Sequence, residues 1–142
     1  MNLYAESSAV VAWLLGEPGS EAVRRTLAEA AVVVGSDLTL IECDRVLIRA
    51  ASLGRLPEAD AASRHATLSA AAAHWVILGL TPEVGDRARQ PFPVEPIRTL
   101  DALHLASALA ARRAVPDLAL LSLDRRVRAC GRQLGFDLLP PG

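Results

Sequence analysis

Asn2-Leu-Tyr-Ala-Glu-Ser-Ser-Ala-Val-Val-Ala-Trp-Leu-Leu-Gly16 is the stretch that decides the fold. Asn2–Ala5 predicts a short strand. Ser7-Ser8 offers an N-cap for a helix over Ala9–Leu15, and Gly16 closes it, since glycine enters the left-handed C-cap conformation without strain. An acid, Glu6, stands at the junction in otherwise apolar company. A strand that runs almost directly into an amphipathic or apolar helix is the repeating unit of α/β proteins.

The same alternation continues outward along the chain. Glu17-Pro-Gly19 predicts a turn, and Ser20 predicts the cap of a helix over Glu21–Ala30 with glutamate in its first turn. Val32–Val34, ended by Gly35, predicts a wholly apolar strand. Thr39 predicts the cap of a third helix, with Ile41, Leu47, Ile48 and Ala51 as its apolar stripe and Gly54 at its end. Pro57 suits the first turn of an alanine-rich helix reaching about Ala73. Trp75–Leu80 predicts a strand, and Thr81-Pro82 starts a short helix that stops before Gln90-Pro-Phe-Pro93. The proline-rich stretch through Pro96 predicts an irregular loop rather than a linker, because the pattern resumes beyond it. Leu100–Arg113 predicts a helix, Leu118–Ser122 a strand, Arg125–Leu134 a helix and Phe136–Leu139 a last strand. Short apolar strands of this kind predict an α/β fold on a parallel sheet, in a single domain spanning residues 1–142. Gly131-Arg-Gln-Leu-Gly135 lies at a helix end and is no dinucleotide fingerprint; Gly135 reads as a C-cap.

Composition narrows the chemistry. Hydrophobic residues at 51% and a formal net charge of −1 exclude a disordered chain and a protein that coats nucleic acid by charge alone. The 15 basic residues are all arginine. Without lysine there is no Schiff base, no P-loop lysine and no receiver-domain lysine. The opening residues have no secretory pattern, and no apolar run approaches the ~18–20 residues that span a bilayer, so a cytoplasmic protein without a membrane segment is expected. Cys43 and Cys130 show no metal-ligand spacing and read as buried thiols.

Most of the 16 acids fall in polar or turn-like surroundings. Four do not. Glu6 follows the first strand and Asp124 follows Leu118-Ala-Leu-Leu-Ser-Leu123, while Glu42 and Asp101 are expected in first turns of helices. In an open α/β sheet those places converge on the crevice outside the strand ends. Clustered carboxylates repel one another unless a cation lies among them, and an all-oxygen donor set selects Mg²⁺ or Mn²⁺. Such a site suits phosphodiester hydrolysis. Each acid also has a plainer role open to it. Asp101 and Asp124 could serve as helix N-terminal acids, Glu42 could pair with Arg45 or Arg49, and Glu6 could cap the helix after it.

Four motifs in order resemble those of the PIN-domain ribonucleases, and within them the VapC-type toxins. They are Leu3-Tyr-Ala-Glu-Ser-Ser-Ala9, Ser36-Asp-Leu-Thr-Leu-Ile-Glu42, Arg98-Thr-Leu-Asp-Ala-Leu-His-Leu-Ala106, and Leu121-Ser-Leu-Asp124 with Gly135-Phe136 beyond it. The resemblance covers nearly the whole chain. It implies a three-layer α/β/α sandwich with a parallel five-stranded sheet, and a Mg²⁺- or Mn²⁺-dependent endoribonuclease of RNA. It also implies a homodimer and a small VapB-like antitoxin that wraps the toxin, with the helices beginning at Ala9 and Glu21 as a surface for such contacts. Glu6, Glu42, Asp101 and Asp124 are the catalytic and metal-holding acids by this resemblance. The family's first acid is nearly always Asp. Glu6 adds a methylene, roughly one bond length or ~1.5 Å, to a site whose octahedral metal is exacting. The alternative is therefore an impaired scaffold that binds RNA or antitoxin without cutting.

Neighbouring residues carry two readings each. Ser8 and Ser122 orient a carboxylate or serve as ordinary caps and strand-end groups. Arg98, one turn before Asp101, holds phosphate or pairs with an acid. Arg125 and Arg126 form a basic rim for RNA or a solvated helix face. His104, three residues after Asp101 in an apolar helix, reads as a packing histidine. His65 and His74 have no evident partners, and Trp13 and Trp75 fit packing better than base stacking.

Overall fold

The computed structural model describes all 142 residues. Five strands, β1 (Asn2–Ala5), β2 (Val32–Ser36), β3 (Val76–Leu78), β4 (Leu118–Leu121) and β5 (Leu138–Leu139), form one sheet in the order β3-β2-β1-β4-β5. Every pairing is parallel. Seven helices complete the chain: α1 (Ser7–Leu15), α2 (Ser20–Glu29), α3 (Asp37–Ser52), α4 (Glu58–Ala72), α5 (Pro82–Ala88), α6 (Thr99–Ala114) and α7 (Arg125–Gln133). None is long and apolar enough to cross a membrane.

The period-2 alternation of strand side chains builds the three layers. Leu3 and Ala5 of β1, Val33 of β2, and Ala119 and Leu121 of β4 point to one face, where α1, α2, α3 and α4 cover them with Ala9, Val10, Val23, Cys43 and Leu68. Tyr4, Val34, Leu118 and Leu120 point to the other, under Val84 of α5, Leu105 of α6 and Val127 of α7. At Gly131 of α7 an added Cβ would lie 2.5 Å from Leu120 Cδ2, so glycine there lets the helix sit close on β4. Gly16 (φ 65°) and Gly135 (φ 90°) end their helices in the left-handed region, as the sequence predicts.

The element types and their order agree with the sequence reading; several N-caps and strand ends do not. Glu6, not Ser7 or Ser8, caps α1, because its side chain accepts from the Ser8 N–H. Gly19 precedes α2, and Ser20 is already inside it. Ser36 precedes α3 and Thr39 sits one turn in, where its hydroxyl bonds the Ser36 N–H and the Ala5 carbonyl. The face that α3 buries also differs from the expected stripe. Leu38, Cys43 and Leu47 are buried, while Ile41 and Ile48 are 56% and 51% exposed. β3 and β5 are shorter than predicted, since they are edge strands with partners on one side only.

Candidate functional site

β1 pairs with β2 on one side and β4 on the other, so the sheet's order reverses direction between β1 and β4. Ligands of open α/β sheets bind outside the strand ends at such a switch point. Glu6 directly follows β1 there, and Asp124 caps α7 shortly after β4. Ser122, between them in space, ties the two strand ends together.

Glu6 is almost fully buried. Its Oε1 accepts from the Ser8 hydroxyl (2.6 Å) and the Ser122 hydroxyl (2.5 Å), and its Oε2 from the Ser8 N–H (2.8 Å). Ser8 Oγ in turn accepts from the N–H groups of Leu123 and Asp124. Both serines thus orient a carboxylate, as one of the two sequence readings has it. Asp124 accepts from the N–H groups of Arg126 and Val127. These two bonds are its cap to α7, a contribution of ~1 kcal/mol.

Asp101 stands in the first turn of α6, buried, and accepts from Arg98 N–H and Nε, each at 3.4 Å. The same guanidinium reaches Asp124 Oδ2 at 3.4 Å. Arg98 therefore spans the two acids, and their charges together with Glu42 hold its pKa above the ordinary arginine value. Its side chain is 71% exposed, so it lies over the acids from the solvent side. Arg98, Asp124, Arg125 and Arg126 line a shallow polar depression with no apolar wall.

Glu42 falls in the second turn of α3 rather than the first, a consequence of the helix starting at Asp37. It pairs with neither Arg45 nor Arg49. Its Oε1 accepts from Ser7 Oγ (2.8 Å) and from His104 Nε2 (2.5 Å). Burial opposes its charge, but the bond and charge of the His104 ring, the Ser7 hydroxyl and the Arg98 charge outweigh that and hold the carboxyl below its ordinary range. The other edge of the His104 ring meets Tyr4 Oη at 2.8 Å, and Tyr4 Oη bonds Ser36 Oγ at 3.2 Å. Burial pushes the Tyr4 phenol up to about 12, so it remains a neutral hydrogen-bonding group. Each of these buried polar groups is satisfied; leaving one unpaired would cost ~1–3 kcal/mol.

His104 and Ser7 are the residues that the sequence reading passed over. His104 is buried as expected, yet it is hydrogen-bonded on both ring nitrogens rather than merely packed. The available signal was its spacing: three residues after Asp101 places it on the same face of α6. His65 also has partners, Asp44 Oδ1 at 2.6 Å and Ser69, on an exposed surface.

The donors at the switch point are all carboxylate oxygens, the chemistry that hard divalent cations take. As the side chains stand, no three of the chain's His, Cys, Asp and Glu residues are grouped to hold an ion. Arg98 is the cation between Asp101 and Asp124. Its side chain is exposed, while that of Asp101 is nearly buried.

A family model described as the PIN domain matches residues 3–133. The chain belongs to the PIN-domain family. This PIN domain is 36% identical over 140 residues to Ribonuclease VapC46 of Mycobacterium tuberculosis, covering 98% of the chain and 97% of that relative. The VapC-type resemblance read from the four motifs is therefore sound. Among solved structures, the PIN domain is similar to M. tuberculosis VapC20, a "Sarcin-Ricin loop cleaving toxin", with TM-score 0.65 and 17% identity over 94% of the chain and 95% of that one. It is similar also to VapBC2 of Rickettsia felis, a complex bound to a promoter DNA fragment, with TM-score 0.67 and 10% identity over 97% of each chain. At those identities the structural likeness speaks for the fold: a three-layer α/β/α PIN domain.

Proposed function

We propose that this PIN domain is the ribonuclease toxin of a toxin–antitoxin pair, a Mg²⁺- or Mn²⁺-dependent endoribonuclease acting in the cytoplasm. The reading is supported by Arg98 bridging Asp101 and Asp124, and by Ser8 and Ser122 tying Glu6 to the Asp124 backbone, at the switch point of a chain 36% identical to Ribonuclease VapC46. A VapB-like antitoxin and a second copy of the chain are the partners in this reading; complexes among the structural neighbours support the first.

Glu6, Glu42, Asp101 and Asp124 are the residues to hold the cation. When bound, it polarises the scissile phosphate and makes a water molecule acidic enough to attack. The chain's own groups do the rest. Ser8 and Ser122 fix the Glu6 carboxylate. Arg98 turns from the acids to the phosphate, and Arg125 and Arg126 extend the basic rim along the RNA backbone. The test is cleavage of total RNA by the purified chain with Mg²⁺, with Mn²⁺ and with EDTA, beside Asp101→Asn. Cleavage by the wild type, lost with EDTA and in the variant, is expected; cleavage that survives both overturns the reading.

One observation favours the second reading, an impaired scaffold that binds without cutting. Both oxygens of Glu6 are already engaged by Ser8 and Ser122. Three of the roughly four acceptor positions of this carboxylate are thus taken by protein donors, which leaves less room for an ion. No cleavage by the wild type with either metal, together with retained RNA or antitoxin binding, would favour it.

A further inference from the structure

His104 occupies a singular place among the buried groups. It lies on α6 one turn beyond Asp101, and its ring joins three other parts of the fold: Tyr4 of β1, Ser7 at the start of α1, and Glu42 of α3. Both protein bonds to Glu42 end on the same oxygen, Oε1; its Oε2 takes none. A carboxylate only accepts, so Nε2 carries the hydrogen in this pair. The ring cannot pivot to release it, because Nδ1 is pinned by Tyr4 Oη, itself bonded to Ser36 just before α3. Ser36 ends β2 and is the N-cap of α3, the helix that carries Glu42, so β1, α6 and the start of α3 are joined in a closed circuit of bonds.

We propose that His104 is a positioning residue for the nuclease site: it clamps one oxygen of Glu42 and leaves the other for the divalent cation. The inference rests on the metal-dependent ribonuclease reading given above. Groups that orient a metal-ligating carboxylate from behind typically change metal affinity or activity ~10–100-fold when removed. The clamp serves this purpose because a half-exposed glutamate on a helix otherwise samples several rotamers, and each must be abandoned when the ion binds.

Two variants separate positioning from mere packing. His104→Phe keeps the bulk and loses the ring's bonds to Tyr4, Ser7 and Glu42. His104→Gln keeps an N–H donor near the place of Nε2 while losing the aromatic ring. In the full chain, Mn²⁺ binding read by electron paramagnetic resonance should weaken ~10-fold or more in His104→Phe. In His104→Gln it should return to within about threefold of wild type, and kcat for RNA should follow the same order. Thermal melting should fall in both variants, and it does not discriminate.

Mn²⁺ binding in His104→Phe equal to that of wild type overturns the proposal, however far the melting temperature falls. So does a His104→Gln variant no better than His104→Phe. A wild type that binds Mn²⁺ but cuts no RNA refutes the nuclease reading alone, and the binding series still decides the role of His104. A wild type that binds no Mn²⁺ overturns both.

Discussion

Arg98 and Asp124, 26 residues apart in sequence, meet at 3.4 Å, and the same guanidinium holds Asp101 at 3.4 Å. A fixed positive charge thus stands where a divalent cation would have to enter. The guanidinium repels a cation there, and a divalent ion twice as strongly as a monovalent one at the same distance. Arg98→Gln is therefore expected to bind Mn²⁺ severalfold more tightly than wild type at low salt in the absence of RNA. The gain should shrink toward none near 1 M salt, where such exposed charges are screened. Equal or weaker binding by the variant, measured by titration calorimetry, would mean that Arg98 does not compete with the ion.

Asp124 has two separable jobs. It caps α7 through the N–H groups of Arg126 and Val127, and it faces Arg98 as a charge. Asparagine caps as well as aspartate, whereas alanine does not. Asp124→Asn should lose RNA cleavage by at least ~100-fold with stability nearly unchanged, while Asp124→Ala should also lose ~1 kcal/mol. Denaturant unfolding read beside cleavage checks both; retained cleavage in Asp124→Asn removes it from the site.

Glu6→Asp shortens the first acid by one methylene at a helix N-cap, where aspartate is well suited. The shorter side chain cannot keep all three bonds to Ser8 and Ser122 in their present geometry. We expect metal-dependent RNase activity to rise and the melting temperature to change by only a few degrees, equivalent to ~1 kcal/mol. Unchanged or lower activity would show that the longer acid is no handicap.

Glu42 predicts a pH dependence. Its carboxyl is held below the ordinary range in the folded chain, chiefly by His104 against the opposing effect of burial. A group whose folded pKa is depressed stabilises the fold above its unfolded pKa, and that contribution is lost as pH falls through the folded value. The stability gap between wild type and Glu42→Gln should thus narrow as the pH drops from 7 toward 3. Urea midpoints across that range test it, and a gap that stays constant or widens speaks against the Glu42–His104 pair.

The two thiols should be silent in the native state. Cys43 and Cys130 are fully buried, and burial pushes the Cys43 pKa up to about 12 and that of Cys130 upward as well. Dithionitrobenzoate at pH 8 is expected to modify neither until denaturant is added, and then both. Rapid reaction of either thiol in the folded protein would place it at a surface that the structure does not expose.

Local sequence carries a good deal of this architecture. Val32–Val34 and Leu118–Leu121 read as strands because both of their faces are buried, so they are apolar throughout. Gly16 and Gly135 mark helix ends because their left-handed backbone is costly for other residues. The error at α3 has an equally local cause. Ser36 and Thr39 are both capable cap residues three positions apart, and Ile41 and Ile48 are apolar yet exposed, so apolar character alone does not mark the buried face.

What the sequence by itself determined was the alternation of strand and helix, the absence of lysine, and which acids stand in apolar company: Glu6, Glu42, Asp101 and Asp124. Only the tertiary structure decided how each of these acids is held. Glu6 is bound by a serine 116 residues away, and Glu42 by a histidine 62 residues away. Periodicity and capping rules reach only about one helical turn, so they reveal that a polar residue sits on a buried face but not what it meets there. The partner is set by sheet order and by how α3 and α6 pack across it. For that reason His104 reads from the sequence as packing and in the fold as a clamp.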